Sequence, residues 1–137
     1  MSAAVEVAAG LIFRDGRLLI TQRPAGGHLA GLWEFPGGKR EPTESFQSCL
    51  KRELLEELGI EVAVREEIDS VRHVYPEKTV FLRFFRCELL RHEPRALGCA
   101  ALAWIQAEEL AQYEFPSADA RLLTKLRATP ALWGCTR

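Results

Sequence analysis

The chain has 137 residues and is 47% hydrophobic, enough for one domain with a sizeable core over 1–137. Lys+Arg total 18 and Asp+Glu 19, a formal net charge of −1, which argues against a nucleic-acid polymer as partner but not against a free nucleotide met by a local cluster of cations. No apolar run approaches the roughly 20 residues of a membrane span, so no membrane partner is expected.

The N-terminal MSAAVEVAAGLIF lacks a basic leader and contains Glu6, so it reads as a strand over 4–13 and not as a signal peptide. Arg14-Asp15-Gly16 is a hairpin turn of the Asp-Gly type, and Arg17 to Arg23 a second strand with Leu18, Leu19 and Ile20 in its core. Ala25 to Leu32 is a loop with three glycines, and Trp33-Glu34-Phe35-Pro36 a short strand. It feeds Gly37-Gly38, a tight turn where Cβ atoms would be in the way. Pro42 and Thr43 mark a helix start, with Thr43 as N-cap and Glu44 in the first turn. Phe46, Cys49, Leu50, Leu54 and Leu58 form one apolar helix face, and Gly59 ends the helix in a left-handed conformation.

The opposite face carries Arg52, Glu53, Glu56 and Glu57. Three carboxylates there project to one side. One reading is a solvated face with Arg52 and Glu56 as an ordinary i,i+4 pair. The other is a cation site: like charges at such spacings repel, and hard oxygen ligands suit Mg²⁺ or Mn²⁺.

Beyond the helix, Glu61 to Val74 reads as a strand pair bent near Glu66-Glu67, and Tyr75-Pro76-Glu77-Lys78 as a turn. Thr79 to Cys87 is strongly β, with Arg83 and Arg86 as interruptions, one of them a candidate to face a site. Residues 88–100 read as a loop, Ala101 to Ile105 as a strand, and Gln106 to Leu110 as the start of a short helix. Phe115-Pro116-Ser117-Ala118-Asp119 leads into a last helix, Ala120 to Leu126, and the tail from Ala128 is expected to fray or pack loosely. Cys49, Cys87, Cys99 and Cys135 show no CxxC spacing and read as reduced thiols of a cytoplasmic protein.

Gly38, five residues, Glu44, seven residues, Arg52-Glu53-Leu54, one residue, Glu56-Glu57, one residue and Gly59-Ile60 together resemble the Nudix box at every defined position, 38–60. The resemblance implies an α/β Nudix fold: an α/β/α sandwich with a mixed sheet between the box helix and the C-terminal helix. It also implies hydrolysis of a nucleoside diphosphate linked to another moiety, with Mg²⁺ or Mn²⁺ held by Glu53, Glu56, Glu57 and the Gly37 carbonyl. Arg52 and Glu44 would serve the catalytic Glu53 and Glu56. Gln22-Arg23 and Glu34-Phe35-Pro36-Gly37-Gly38-Lys39 resemble segments of the MutT-like branch, which acts on nucleoside triphosphates. By that likeness Arg23 and Lys39 are phosphate contacts, Phe35 lies beside the base and Lys78 near the substrate, with Val7 and Val80 as further pocket walls.

Phe115 to Asp119 resembles the segment that reads the nucleobase in that branch. Asp119 is equally suited to cap the last helix. An ionised carboxylate offers acceptors only, which suits N4 of cytosine or N1–H and N2 of guanine, whereas an oxidised guanine edge asks for a donor as well. The expected activity is conversion of a nucleoside triphosphate to the monophosphate and pyrophosphate. Oxidised dGTP (8-oxo-dGTP, in nucleotide-pool sanitation) ranks first and cytosine nucleotides (CTP, dCTP, 5-methyl-dCTP) second. No further motif points to sugar nucleotides or dinucleoside polyphosphates. Relatives of this branch often carry another Glu where this chain reads Leu97-Gly98-Cys99, with Glu93 the nearest acid upstream. The general base is therefore open, and a nucleotide- or protein-binding Nudix fold with little turnover is the alternative of another class. A monomer and a homodimer both fit the sequence.

Overall fold

A computed structural model describes residues 4–27 and 29–134. The strands are β1 (Val5–Arg14), β2 (Arg17–Gln22), β3 (Trp33–Glu34), β4 (Gly37–Lys39), β5 (Glu61–Val74), β6 (Thr79–Arg91) and β7 (Ala101–Ile105). The helices are α1 (Phe46–Leu58) and α2 (Ala120–Ala128), with 3₁₀ turns at Ala107–Gln112, Ser117–Asp119 and Pro130–Trp133. The sheet runs β3-β2-β1-β6-β5, with β4 also on β1 and β7 also on β2. It is mixed: β1 and β6 run parallel, and the other pairs are antiparallel.

Strand alternation sends successive side chains of β1 to opposite faces. Ala8 and Ile12 meet Leu50, Leu54 and Leu58 of α1. Ala9 and Leu11 meet Leu122 and Leu126 of α2. The sheet therefore lies between the two helices, each covering one apolar face.

The ends of α1 are set by local chemistry. Ser45, not Thr43, is the N-cap: its Oγ accepts the Ser48 N–H at 3.0 Å. Glu44 therefore precedes the helix instead of sitting in its first turn, and it accepts the Glu41 N–H at 3.0 Å. Gly59 closes the helix at φ 69°, a left-handed position that favours glycine. The Asp15-Gly16 turn has positive φ at both residues, as a tight hairpin requires.

Three expectations need correction. Residues 61–74 form one strand, not two. Its bend is a pair of register shifts, between Val64 and Glu67 and between Glu67 and Asp69, where extra residues bulge out of the ladder. β6 runs on to Arg91 instead of ending at Cys87, because Glu88 and Leu89 still pair with Ala63 and Val62. The tail does not pack loosely as far as residue 134: Trp133 is buried, donates its indole N–H to Leu126 O at 3.0 Å and sets its ring edge to face with Phe13 at 5.3 Å. Cys135, also part of that tail, lies outside the described residues. Cys49, Cys87 and Cys99 are free thiols. Among the described residues no helix is long and apolar enough to cross a membrane.

Trp133→Ala should lower the free energy of unfolding by about 3–5 kcal/mol, the cost of emptying a buried aromatic site. Denaturant titration checks this, and a loss below about 0.5 kcal/mol would mean that the tail contributes surface packing only.

Candidate active site

The turn at Gly37-Gly38 belongs to β4 and lies against the side of α1. A Cβ on Gly37 would fall 1.9 Å from the Ala8 carbonyl oxygen, and one on Gly38 2.2 Å from the Glu53 carboxylate carbon. Glycine is therefore required at 37 by fixed backbone, whereas at 38 a Cβ would displace the Glu53 carboxylate from its place. Arg52 gathers the acids from the other side. Its Nε and Nη2 reach both oxygens of Glu44 at 3.1 and 2.6 Å, and its Nη1 reaches Glu53 at 3.2 Å and Glu56 at 3.4 Å. The Arg52 hydrogen bonds hold the Glu44 carboxyl down to about 2. Glu53 is pushed up by burial in spite of Arg52.

Glu57 is in a different position. Its Oε1 is buried without a hydrogen-bond partner. Burial first, then the neighbouring Glu34 and Glu53, push its pKa up to about 8, with only the Gly37 N–H and the more distant Arg23 pulling the other way. Glu56 is exposed and pairs with Arg52 at 3.4 Å.

A cavity of about 300 Å³ opens beside this turn. Gly37, Glu57, Arg23 and Lys39 line it, together with Phe35, Asp119, Lys78, Val7 and Val80. Phe35 is buried and stacks on Phe115, with ring centres 5.2 Å apart and planes 19° apart. Asp119 precedes α2 but makes no side-chain cap bond to it, so the capping role does not hold. The group is buried, and burial followed by the charge of Glu34 pushes its pKa up to about 7. Arg23 pairs with Glu34 at 2.9 Å.

A model of the NUDIX domain matches residues 8–125. The chain belongs to the Nudix family. It is 42% identical over 127 residues to the CTP pyrophosphohydrolase of Escherichia coli K12, across 93% of this chain and 94% of that one. It is 43% identical over 82 residues to the 8-oxo-dGTP diphosphatase of Proteus vulgaris, across 59% of this chain and 73% of that one. The crystal structure of the MutT protein from Methanosarcina mazei Go1 superposes with a TM-score of 0.83 at 23% identity, over 93% of this chain and 95% of the other, a likeness of fold.

Nudix hydrolases generally need divalent metal ions. Among the described residues, no three acidic, thiol or imidazole side chains converge closely enough to hold an ion as they stand. Glu56 is turned to Arg52 and solvent, so the expected trio is split. The chemistry of the Nudix box nonetheless fits a hard cation. Glu57 has an orphaned buried oxygen, and Glu53 and Glu57 repel one another beside a glycine turn.

The nearest upstream acid, Glu93, is placed elsewhere, and the Leu97-Gly98 segment has a backbone role. Glu93 is bidentate to Arg14 at 2.9 and 3.0 Å and does not fold back toward the Nudix box. Leu97-Gly98 caps α1 instead of supplying an acid. The Leu97 and Gly98 N–H groups both donate to Glu57 O at 3.0 Å, and the Arg95 N–H donates to Leu58 O at 2.9 Å, satisfying carbonyls the helix leaves free. Arg83 and Arg86 pair with Glu67 and Glu66, and neither lines the cavity. Sequence reasoning missed Glu34 and Tyr75 as lining residues. Glu34 was legible as the acid of the Glu34-to-Lys39 segment; Tyr75, in a turn, gave no signal.

Glu57 yields a pH prediction. An acid whose folded pKa lies above its unfolded value stabilises the fold at low pH and loses that contribution as pH rises toward the folded value. The melting temperature of metal-free protein should therefore fall between pH about 4.5 and about 8. Glu57→Gln should flatten that fall, and millimolar Mg²⁺ should offset it in the wild type. Equal slopes for wild type and variant in a thermal scan would contradict the assignment.

Proposed function

We propose that this Nudix hydrolase converts a nucleoside triphosphate to the monophosphate and pyrophosphate, with Mg²⁺ as cofactor and 8-oxo-dGTP as first-ranked substrate. The observation that supports it most is that one cavity is lined both by the glycine turn and Glu57, whose Oε1 is buried without a hydrogen-bond partner, and by a buried acid, Asp119. Such a space fits a molecule with polyphosphate at one end and a hydrogen-bonding ring at the other.

Glu53, Glu56 and Glu57, with the Gly37 carbonyl, would hold the metal. A bound divalent ion supplies charge neutralisation for phosphate oxygens and a water of lowered pKa. Arg52, braced by Glu44, holds Glu53 and Glu56 by hydrogen bonds at 3.2 and 3.4 Å. Glu53, held between Gly38 and Arg52, is the acid of the helix on which turnover depends most. Arg23 and Lys39 take phosphate oxygens, and Lys78 approaches the substrate from the β5–β6 turn. Phe35, stacked on Phe115, offers a flat apolar wall to a base.

Asp119 bears on the base. With a pKa near 7, its carboxyl is protonated in a large fraction of molecules at neutral pH, so the acceptor-only premise does not hold. A protonated carboxyl offers one donor and one acceptor. That matches the O6 and N7–H edge of an oxidised guanine. It also matches N3 and N4–H of cytosine, which keeps a CTP or dCTP pyrophosphohydrolase as the second reading, in line with the name of the Escherichia coli relative.

A nucleotide panel at equal concentration, with pyrophosphate release measured at pH 6 and pH 8, separates these. The ratio of kcat/KM for 8-oxo-dGTP over dGTP should fall about tenfold from pH 6 to pH 8, following the protonated fraction of a group with a pKa near 7. Asp119→Asn, always donor and acceptor, should hold the ratio flat. Cytosine nucleotides exceeding 8-oxo-dGTP in kcat/KM would place the second reading first. Glu53→Gln should nearly abolish turnover; nucleotide affinity without metal-dependent turnover in the wild type would mark a binding module.

A further inference from the structure

Asp119 has no side-chain bond to its own helix, yet it sits at a defined place on the cavity wall. Its position has to come from its neighbours in the chain. Two residues before it, Ser117 Oγ lies 3.3 Å from His73 Nε2. Two residues after it, Arg121 donates to both oxygens of Asp69, Nε to Oδ2 at 3.1 Å and Nη2 to Oδ1 at 2.6 Å, and Nη2 also donates to the Ser70 carbonyl. One turn further on, Lys125 Nζ donates to the Ile68 carbonyl at 2.7 Å. All of these partners lie on β5.

The bulges in β5 make this possible. Glu67 and Asp69 are two apart and in a regular strand would share a face. The register shift between them sends them apart. Glu67 pairs with Arg83, whose guanidinium lies over Phe46 on the α1 side. Asp69 pairs with Arg121 at the start of α2. Bulges beside active sites commonly re-aim a side chain in this way. The Asp69 carboxylate is largely buried, and the hydrogen bonds from Arg121 hold its pKa below the usual carboxylate range. A bidentate arginine–carboxylate pair fixes orientation as well as distance.

We infer that Asp69 and Arg121, assisted by His73 and Ser117, are positioning residues for nucleobase selection: they clamp the 117–121 segment to β5 so that the Asp119 carboxyl meets the base edge. The inference rests on the base-reading role proposed for Asp119 above. None of the four residues belongs to the metal or phosphate end, so loosening the clamp should affect selection and not the chemical step.

The test is steady-state kinetics of the full chain with Mg²⁺ on 8-oxo-dGTP, dGTP, CTP and UTP, for Asp69→Ala, Arg121→Ala, the double variant, Arg121→Lys, Ser117→Ala and Asp119→Ala. Arg121→Ala and Asp69→Ala should each raise KM for the preferred nucleotide about three- to tenfold, the range of one lost hydrogen bond, with kcat within about twofold. Each should lower the preference between bases by a similar factor. The double variant should be no worse than either single one, since both remove the same pair. Arg121→Lys, which keeps the charge and one bond, should recover part of the preference, and Ser117→Ala should give a smaller loss of the same kind. Base preference lost in Asp119→Ala but kept in Asp69→Ala and Arg121→Ala would overturn the clamp alone. Base preference kept in Asp119→Ala would overturn the base-reading role and the clamp with it. A uniform drop in kcat and thermal stability, with preference retained, would show a merely structural pair. Arg121 is exposed, so its variants are expected to fold.

Discussion

The crowding of carboxylates against a glycine turn is the constraint on which the rest of this molecule depends. A cluster of acids on one helix is ordinarily relieved by solvent or by cations. Here Arg52 relieves Glu44, Glu53 and Glu56, and the residue is left at Glu57, which has a buried oxygen and no partner for it. Closeness of the turn makes the strain specific. Gly37 has no room for a Cβ beside the Ala8 carbonyl, and a Cβ on Gly38 would push the Glu53 carboxylate aside. The chain brings backbone and acids together, and either a proton on Glu57 or a ligand of opposite charge relieves the crowding.

The fold serves that arrangement from both faces of one sheet. The apolar stripe of α1 fixes the helix on β1 and β6, which turns its acidic stripe toward β4. The 95–98 segment closes the C-terminal end of the helix by backbone hydrogen bonds, so Glu57 is held by the chain on either side of it. On the opposite face, covered by α2, Phe35 and Asp119 line the same cavity, with Phe115 stacked on Phe35. Glu34 lines the same cavity, and its charge pushes both Glu57 and Asp119 upward, so the two acids are electrostatically linked through it.

What could be read from the sequence was whatever has a local or periodic cause. The 3.6-residue spacing of Cys49, Leu50, Leu54 and Leu58, the Asp15-Gly16 turn and the glycine stop at Gly59 all act within a few residues, and the box spacing fixed which acids to watch. The misses have non-local causes. Thr43 and Ser45 are equally good caps in isolation, and the choice falls to Ser45, with Arg52, eight residues on, holding Glu44 outside the helix. Trp133 is fixed by Phe13, at the other end of the chain. The β5 bulges exist only in register with β6. The raised pKa of Asp119 comes from burial by elements distant in sequence, and it altered the hydrogen-bonding argument about substrate. Helical spacing alone does not show that Glu56 is the exposed member of Glu53, Glu56 and Glu57, paired with Arg52.

Calorimetric titration of Mn²⁺ into metal-free protein, with no nucleotide present, addresses the acids directly. Stoichiometric binding is expected in the wild type, with a large loss of affinity in Glu57→Gln, the variant that removes the unpartnered buried oxygen's charge. Equal affinity in the two proteins would contradict the assignment of this acid cluster as the metal site.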